Sequence, residues 1–258
     1  MKLDGNTILI TGGSSGIGLA LAKQFLSLGN EVIITGRNAA KLEAAEQETP
    51  ALHTVQSDAA DPDAVRALAA EVAERFPRMN VLLNNAGVFI PRNHTAPTED
   101  LVALTAELDI NLAGPIRMVS VFIDQLKANR GTIINVSSGL AFVPLQISPV
   151  YCATKAALHS YTLSLRQQLK GEGVEVIELM PPAVHTALTA DLPDDGDFKL
   201  LTTDELIKQT FKGLRAGQLE IRPGQANQLY WMSRIAPGFI NAQLEKGSKS
   251  LVPPPESA

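Results

Sequence analysis

"TILITGGSSGIG", residues 7–18, joins a short β-branched run to a glycine-rich turn and then to an amphipathic segment, "GLALAKQFLSLG" (18–29). Where a strand runs straight into such a turn and a helix, free N–H groups at the helix start can face an anion, and glycines let the backbone approach it closely. A tight turn that serves only the chain path is the competing reading. A P-loop is excluded, because Leu19 and Ala20 follow Gly18 where Lys and a hydroxyl residue would be needed. A dinucleotide is the better candidate ligand.

Outward from this stretch the same alternation repeats. The runs "EVIIT" (31–35), "ALHTV" (51–55), "NVLLN" (80–84), "TIINV" (132–136) and "EVIEL" (175–179) are nearly continuous in apolar residues, as strands covered on both faces are. Between them, segments 39–48 and 62–76 repeat apolar residues every three to four positions. Asp61 and Pro62 form a helix start, and longer helices are expected over roughly 98–128, interrupted near Gly114-Pro115, and over 151–170. The pattern predicts an α/β chain: a single-domain Rossmann fold with a doubly wound parallel sheet of about seven strands and helices on both faces. "LEIRPG" (219–224) is the candidate last strand. The domain is expected to span 1–246, with 247–258 a flexible, proline-rich tail.

Composition narrows the partners. With a net charge of −5 and no run of like charges, the chain offers no basic surface for nucleic acid. Cys152 is the only cysteine, so an internal disulfide is excluded. No apolar run is long enough for a signal peptide or a membrane span, and a cytoplasmic protein is expected. The four histidines are scattered, without the clustering that a metal site requires.

About twenty residues beyond the glycines of a dinucleotide fold, a carboxylate binds the ribose hydroxyls, whereas an arginine accommodates a 2′-phosphate. Here the second strand ends "TGRN", with Arg37 and no carboxylate, which favours NADP(H) over NAD(H). Stacking on adenine or plain solvation are the other readings of Arg37. Asp58, after the third strand, either accepts from the adenine amino group or forms a turn.

Further motifs follow in order: "NNAG" at 84–87, Asn111 within "INL", Ser138 within "NVSSG", and Tyr151 with Lys155 in "VYCATKAALHSY". Over about residues 4–190 the chain resembles the short-chain dehydrogenase/reductase family in its compact branch, and its flanking wording is most similar to the DltE-like oxidoreductase subgroup. The resemblance implies cofactor contacts at Gly12, Ser14, Ser15, Gly16, Ile17 and Gly18, at Asn85, Ala86 and Gly87, and at Pro181, Val184 and Thr186. It also implies a catalytic set of Asn111, Ser138, Tyr151 and Lys155, with Tyr151 and Lys155 contacting the cofactor as well. Residues i and i+4 share a helix face, so the Lys155 cation is expected to favour the Tyr151 phenolate and bring its proton transfer closer to neutral pH. Tyr151 then acts as general acid/base and Ser138 holds the carbonyl oxygen, while Asn111 sits at a kink in a long helix. The implied activity is NADP(H)-dependent interconversion of a ketone or aldehyde with its alcohol, with an NAD(H)-dependent enzyme or a non-catalytic dinucleotide sensor as alternatives. A homodimer through the two long helices is implied, with a homotetramer as the alternative.

The chain departs from the family after the sixth strand, where Pro181-Pro182 replaces the usual Pro-Gly and stiffens the local path. Residues 187–202, with Leu188, Leu192 and Phe198, are expected to form an amphipathic lid over an apolar substrate. Phe89, Ile90, Phe142, Val143, Leu145 and Ile147 are expected to form the opposite wall. His185 either faces the substrate or lies in an exposed loop. The extension 225–246, broken at Pro237, either caps the pocket, joins a subunit interface or lies on a membrane surface.

Overall fold

The structure, a computed structural model, describes residues 1–95, 100–190, 192 and 200–254. Seven parallel strands form one sheet: β1 (Thr7–Ile10), β2 (Glu31–Gly36), β3 (Leu52–Gln56), β4 (Met79–Asn84), β5 (Thr132–Val136), β6 (Glu175–Leu179) and β7 (Glu220–Ile221). Their spatial order is β3-β2-β1-β4-β5-β6-β7. The order reverses between β1 and β4, and in open parallel sheets a crevice forms beyond the strand ends at such a switch point.

The helices are α1 (Gly16–Ser27), α2 (Ala39–Glu48), α3 (Pro62–Arg75), α4 (Leu101–Leu108), α5 (Gly114–Ala128), α6 (Pro149–Gln168), α7 (Thr203–Arg215), α8 (Gln225–Ile235) and α9 (Pro237–Ser248). Side chains alternate across each strand, and both faces are apolar. Ile8, Ile10, Val32 and Ile34 pack under Phe25 of α1 and Phe211 of α7, whereas Leu9, Ile33, Leu82 and Ile133 pack under Leu68 of α3, Phe122 of α5 and Leu165 of α6. None of the helices among the described residues is long and apolar enough to cross a membrane.

The break in the long helix is a π-helical turn over Asp109–Ala113, which contains Asn111 and abuts Gly114. Gly114 is needed there for packing, since a Cβ on it would meet the Ala59 carbonyl oxygen at 3.1 Å. α7 lies where no helix was expected, although its capping box, Thr202 with Glu205, was readable in "TTDE". Residues 247–254 are not a loose tail: Ser248 is buried, Leu251 and Val252 pack beside Leu145, and Asn93 Nδ2 donates to the Pro253 carbonyl at 2.7 Å.

Phe25 and Phe211 meet with ring centroids 4.8 Å apart and tie α7 to α1. Phe25→Ala is expected to lower stability by about 3–5 kcal/mol, read as a fall in urea midpoint with an unchanged slope.

Candidate active site

A cleft of about 500 Å³ opens beyond the carboxyl ends of the strands, at the switch point. Its floor is the turn that leaves β1. Gly12 and Gly16 have φ of 64° and 55°, in the region that favours glycine. The turn is fastened to β4 from below. Thr11 Oγ1 accepts from the Asn85 and Ala86 amides, both at 3.0 Å, and Asn85 Nδ2 donates to the Thr11 and Gly12 carbonyls at 3.0 and 3.1 Å. A Cβ on Gly12 would lie 2.8 Å from Ala86 Cα, so the close approach admits no side chain.

Gly12, Ser14, Ser15, Gly16 and Ile17 line the cleft, and so do Asn85, Ala86 and Gly87. Gly18 does not. It lies beneath the turn, where a Cβ would meet the Gly12 carbonyl oxygen at 2.4 Å. Its part is to let α1 pack on the turn.

Ser15, at the N-cap of α1, makes no side-chain cap bond, and the first turn holds no acidic residue. The partial positive charge of that helix end therefore faces the cleft without a built-in counter-charge. At the far end Arg37 stands beside Lys41, a second cation that the sequence reading had not singled out; both are exposed and line the cleft. Among the described residues, neither has an acidic partner in an ion pair. Asp58 lines the cleft and also makes a turn, its Oδ1 accepting from the Ala60 amide at 2.9 Å. A glycine cradle, an open helix N-terminus and two cations at one end suit a dinucleotide diphosphate with a further phosphate.

At the other end, α6 brings Tyr151 and Lys155 to the cleft, and the turn after β5 brings Ser138. The Ser138 hydroxyl accepts from the Leu140 amide at 3.1 Å and acts to lower the pKa of the Tyr151 hydroxyl. The Tyr151 ring packs edge-on against Phe89, with centroids 5.0 Å apart. Lys155 is only 4% exposed; its Nζ donates to the Val136 carbonyl at 2.9 Å and lies 5.6 Å from the Tyr151 ring centroid.

The electrostatics differ from the sequence expectation. Burial holds the Tyr151 hydroxyl well above the usual phenol range, and Ser138 only partly offsets it. Burial also lowers Lys155 to about 8. Loss of water is the largest influence on the hydroxyl, and the phenol stands protonated at neutral pH.

Asn111 is fully buried in the π-helical turn and does not line the cleft. Its Oδ1 accepts from the Val88 amide at 2.8 Å and its Nδ2 donates to the Val88 carbonyl at 2.9 Å and to Thr154 Oγ1 at 3.2 Å. It thus couples the helix bend to the strand β4 exit and to α6. One turn before it, Glu107 is buried as well and accepts from the Ile90 amide at 3.0 Å. Its desolvation raises the carboxyl above its ordinary range.

The loop after β6 closes one side. Pro181, Val184 and Thr186 line the cleft, and Thr186 lies against Gly16. The His185 amide donates to the Leu201 carbonyl at 3.0 Å and the Leu201 amide to Ala183 at 2.9 Å, which pins the base of the 187–202 segment. The His185 side chain is exposed. Leu188 and Leu192 line the cleft; Phe198 lies outside the described residues.

Phe89 and Leu145 line the cleft, but Phe142 does not. It turns away to meet His159 and Tyr230, at centroid distances of 5.2 and 5.0 Å. Ile90, Val143 and Ile147 are likewise not in the wall, the last two being core residues. Leu140, together with Gln225 and Leu229 of α8 and Leu244 of α9, takes their place. The C-terminal extension reaches the pocket through Gln225, Leu229 and Leu244, while Trp231, Ile235 and Phe239 are exposed. Among the described residues, no group of three or more His, Cys, Asp or Glu side chains is placed to hold a metal.

The family model described as short chain dehydrogenase matches residues 6–197. An uncharacterized oxidoreductase, DltE, of Bacillus subtilis is 45% identical over 86% of this chain and 89% of its own. A serine 3-dehydrogenase of Agrobacterium fabrum is 36% identical over 91% and 90% of the two chains. The crystal structure of a short chain dehydrogenase from Burkholderia cenocepacia in complex with NADP superposes with a TM-score of 0.83 at 26% identity, covering 95% of this chain and 99% of that one.

Cys152 adjoins Tyr151 but faces Leu145, whose amide lies 3.2 Å from its sulfur, and burial pushes the thiol up to about 11. Thiol reagents at pH 8 are expected to label it only after denaturant unfolds the chain. Rapid labelling of the native protein would show that α6 does not bury it.

Proposed function

The chain belongs to the short-chain dehydrogenase family, and from that premise we propose that it is an NADP(H)-dependent oxidoreductase interconverting an apolar ketone or aldehyde with its alcohol. One observation carries the reading: a single cleft joins the glycine turn and Arg37 at one end to Ser138, Tyr151 and Lys155 at the other. That the Burkholderia relative forms a complex with NADP supports the same coenzyme here. Gly12 to Ile17 would hold the diphosphate, Arg37 and Lys41 the 2′-phosphate, and Pro181, Val184 and Thr186 the nicotinamide end.

A bound nicotinamide cofactor supplies or accepts hydride. The proton is the protein's task. Tyr151 carries it at neutral pH, because burial favours the neutral phenol, and in the reducing direction donates it to the carbonyl oxygen. Ser138, at the same end of the cleft, would hold that oxygen by a hydrogen bond. Lys155, anchored on the Val136 carbonyl, stabilises the phenolate left behind. Phe89, Leu145, Leu192, Leu229 and Leu244 exclude water and select an apolar substrate. Asn111 acts from behind, by holding the bent helix and α6 in register.

A panel of ketones and aldehydes followed by loss of reduced-cofactor absorbance is expected to show turnover with NADPH and much less with NADH. Preference for NADH would overturn the assignment of Arg37. Arg37→Ala is expected to weaken NADPH binding by about tenfold or more while leaving NADH binding nearly unchanged. Tyr151→Phe should bind NADPH nearly normally by calorimetry yet lose about 10²- to 10⁴-fold in turnover. Loss of binding instead would make the residue structural. Leu101, Val102, Leu108, Ile116 and Val121 are exposed along α4 and α5, the first of the two long helices, and support a homodimer formed through that helix and α6, measurable by light scattering.

A further inference from the structure

A second buried charge lies under α6. Glu178 of β6 is 0% exposed, and both of its oxygens are engaged: Ser137 Oγ donates to one at 2.5 Å, and His159 Nδ1 meets the other at 2.8 Å. His159 stands one turn after Lys155, as Lys155 stands one turn after Tyr151, so the three share a face of α6. Ser137 directly follows Val136, whose carbonyl receives the Lys155 ammonium. The cation and the carboxylate are thus held from adjacent residues at the end of β5.

We propose that Glu178 is a positioning residue for the reaction: its buried carboxylate is the counter-charge that keeps Lys155 an ammonium, and His159, through the same carboxylate, sets how strongly it does so. The proposal rests on the reading of Lys155 as the partner of Tyr151.

Burial favours the neutral amine at Lys155, and against it act Glu178 of β6 first and Glu107 of α4 second. Glu107 is the weaker support because its own burial favours the uncharged carboxyl. His159 faces Glu178, Glu220 of β7 and Arg234 of α8; the hydrogen bond to Glu178 raises the imidazole above its ordinary range, and burial and Arg234 act in the other direction. A protonated His159 offsets the field of Glu178 at Lys155, and a neutral one leaves that field intact. Lys155 therefore holds its proton most firmly above the midpoint of His159.

Glu178→Gln preserves shape and removes the charge. The basic limb of its kcat–pH profile is expected to lie lower than that of the wild type by about one pH unit or more. A profile merely scaled down, with its inflections unmoved, would overturn the proposal. A second measurement needs neither turnover nor the variant's folding. In the free wild-type protein, the Lys155 side-chain ¹⁵N resonance should titrate near about 8 and show a smaller step at the midpoint read from the His159 ring carbons. His159→Gln should abolish that step. Its absence from the wild type would refute the coupling, whereas the step without a matching limb in kcat would support the counter-charge and count against the catalytic reading of Tyr151 and Lys155.

Discussion

An ammonium group taken out of water needs oxygen around it, and the surroundings of Lys155 are organised by that need. The Val136 carbonyl at the end of β5 receives it directly, and the carboxyl groups of Glu178 and Glu107 lie within electrostatic reach. Desolvation of a lysine is costly enough to strip its proton unless such groups are present. The parallel sheet supplies them because β5 and β6 end side by side, with Val136 paired to Leu179. α6 can then lay three polar residues, one turn apart, across that edge.

The same packing decides the state of Tyr151. Its hydroxyl shares the dry end of the cleft with Phe89, Leu145 and Leu192, and a dry environment favours the neutral phenol. A proton donor is thereby held ready at neutral pH, and the nearby cation matters most once the proton has left. The two ends of the cleft have opposite characters: exposed cations and a helix N-terminus without a side-chain cap at one, apolar walls and a buried tyrosine at the other.

The C-terminal hairpin completes the apolar end. Tyr230 of α8 lies between the guanidinium groups of Arg222 and Arg234, at 3.8 and 3.7 Å from the ring centroid, and meets Phe142 edge-on. That stack accounts for the direction of Phe142, which the run "SSGLAFVP" did not disclose. An aromatic two positions beyond Leu140 can face either the cleft or the hairpin, and only the arrival of α8 determines which.

The strand and helix pattern was legible because it rests on local periodicity: β-branched runs covered on both faces, amphipathic segments between them, and a glycine turn placed at the junction of the first pair. Ser138, Tyr151 and Lys155 were singled out by the family resemblance, and the i,i+4 spacing accounts only for Tyr151 and Lys155 sharing a helix face. Glu107 was not, because a lone glutamate in "LVALTAELDINL" reads as a solvated position until α6 and the β4 exit bury it. Nor were Glu178 and His159, nineteen residues apart, which meet only when α6 packs on β6. Sequence alone determined which backbone would run where and which side chains share a helix face; the tertiary structure alone decided which charges lose water together, because desolvation depends on what arrives from elsewhere in the chain.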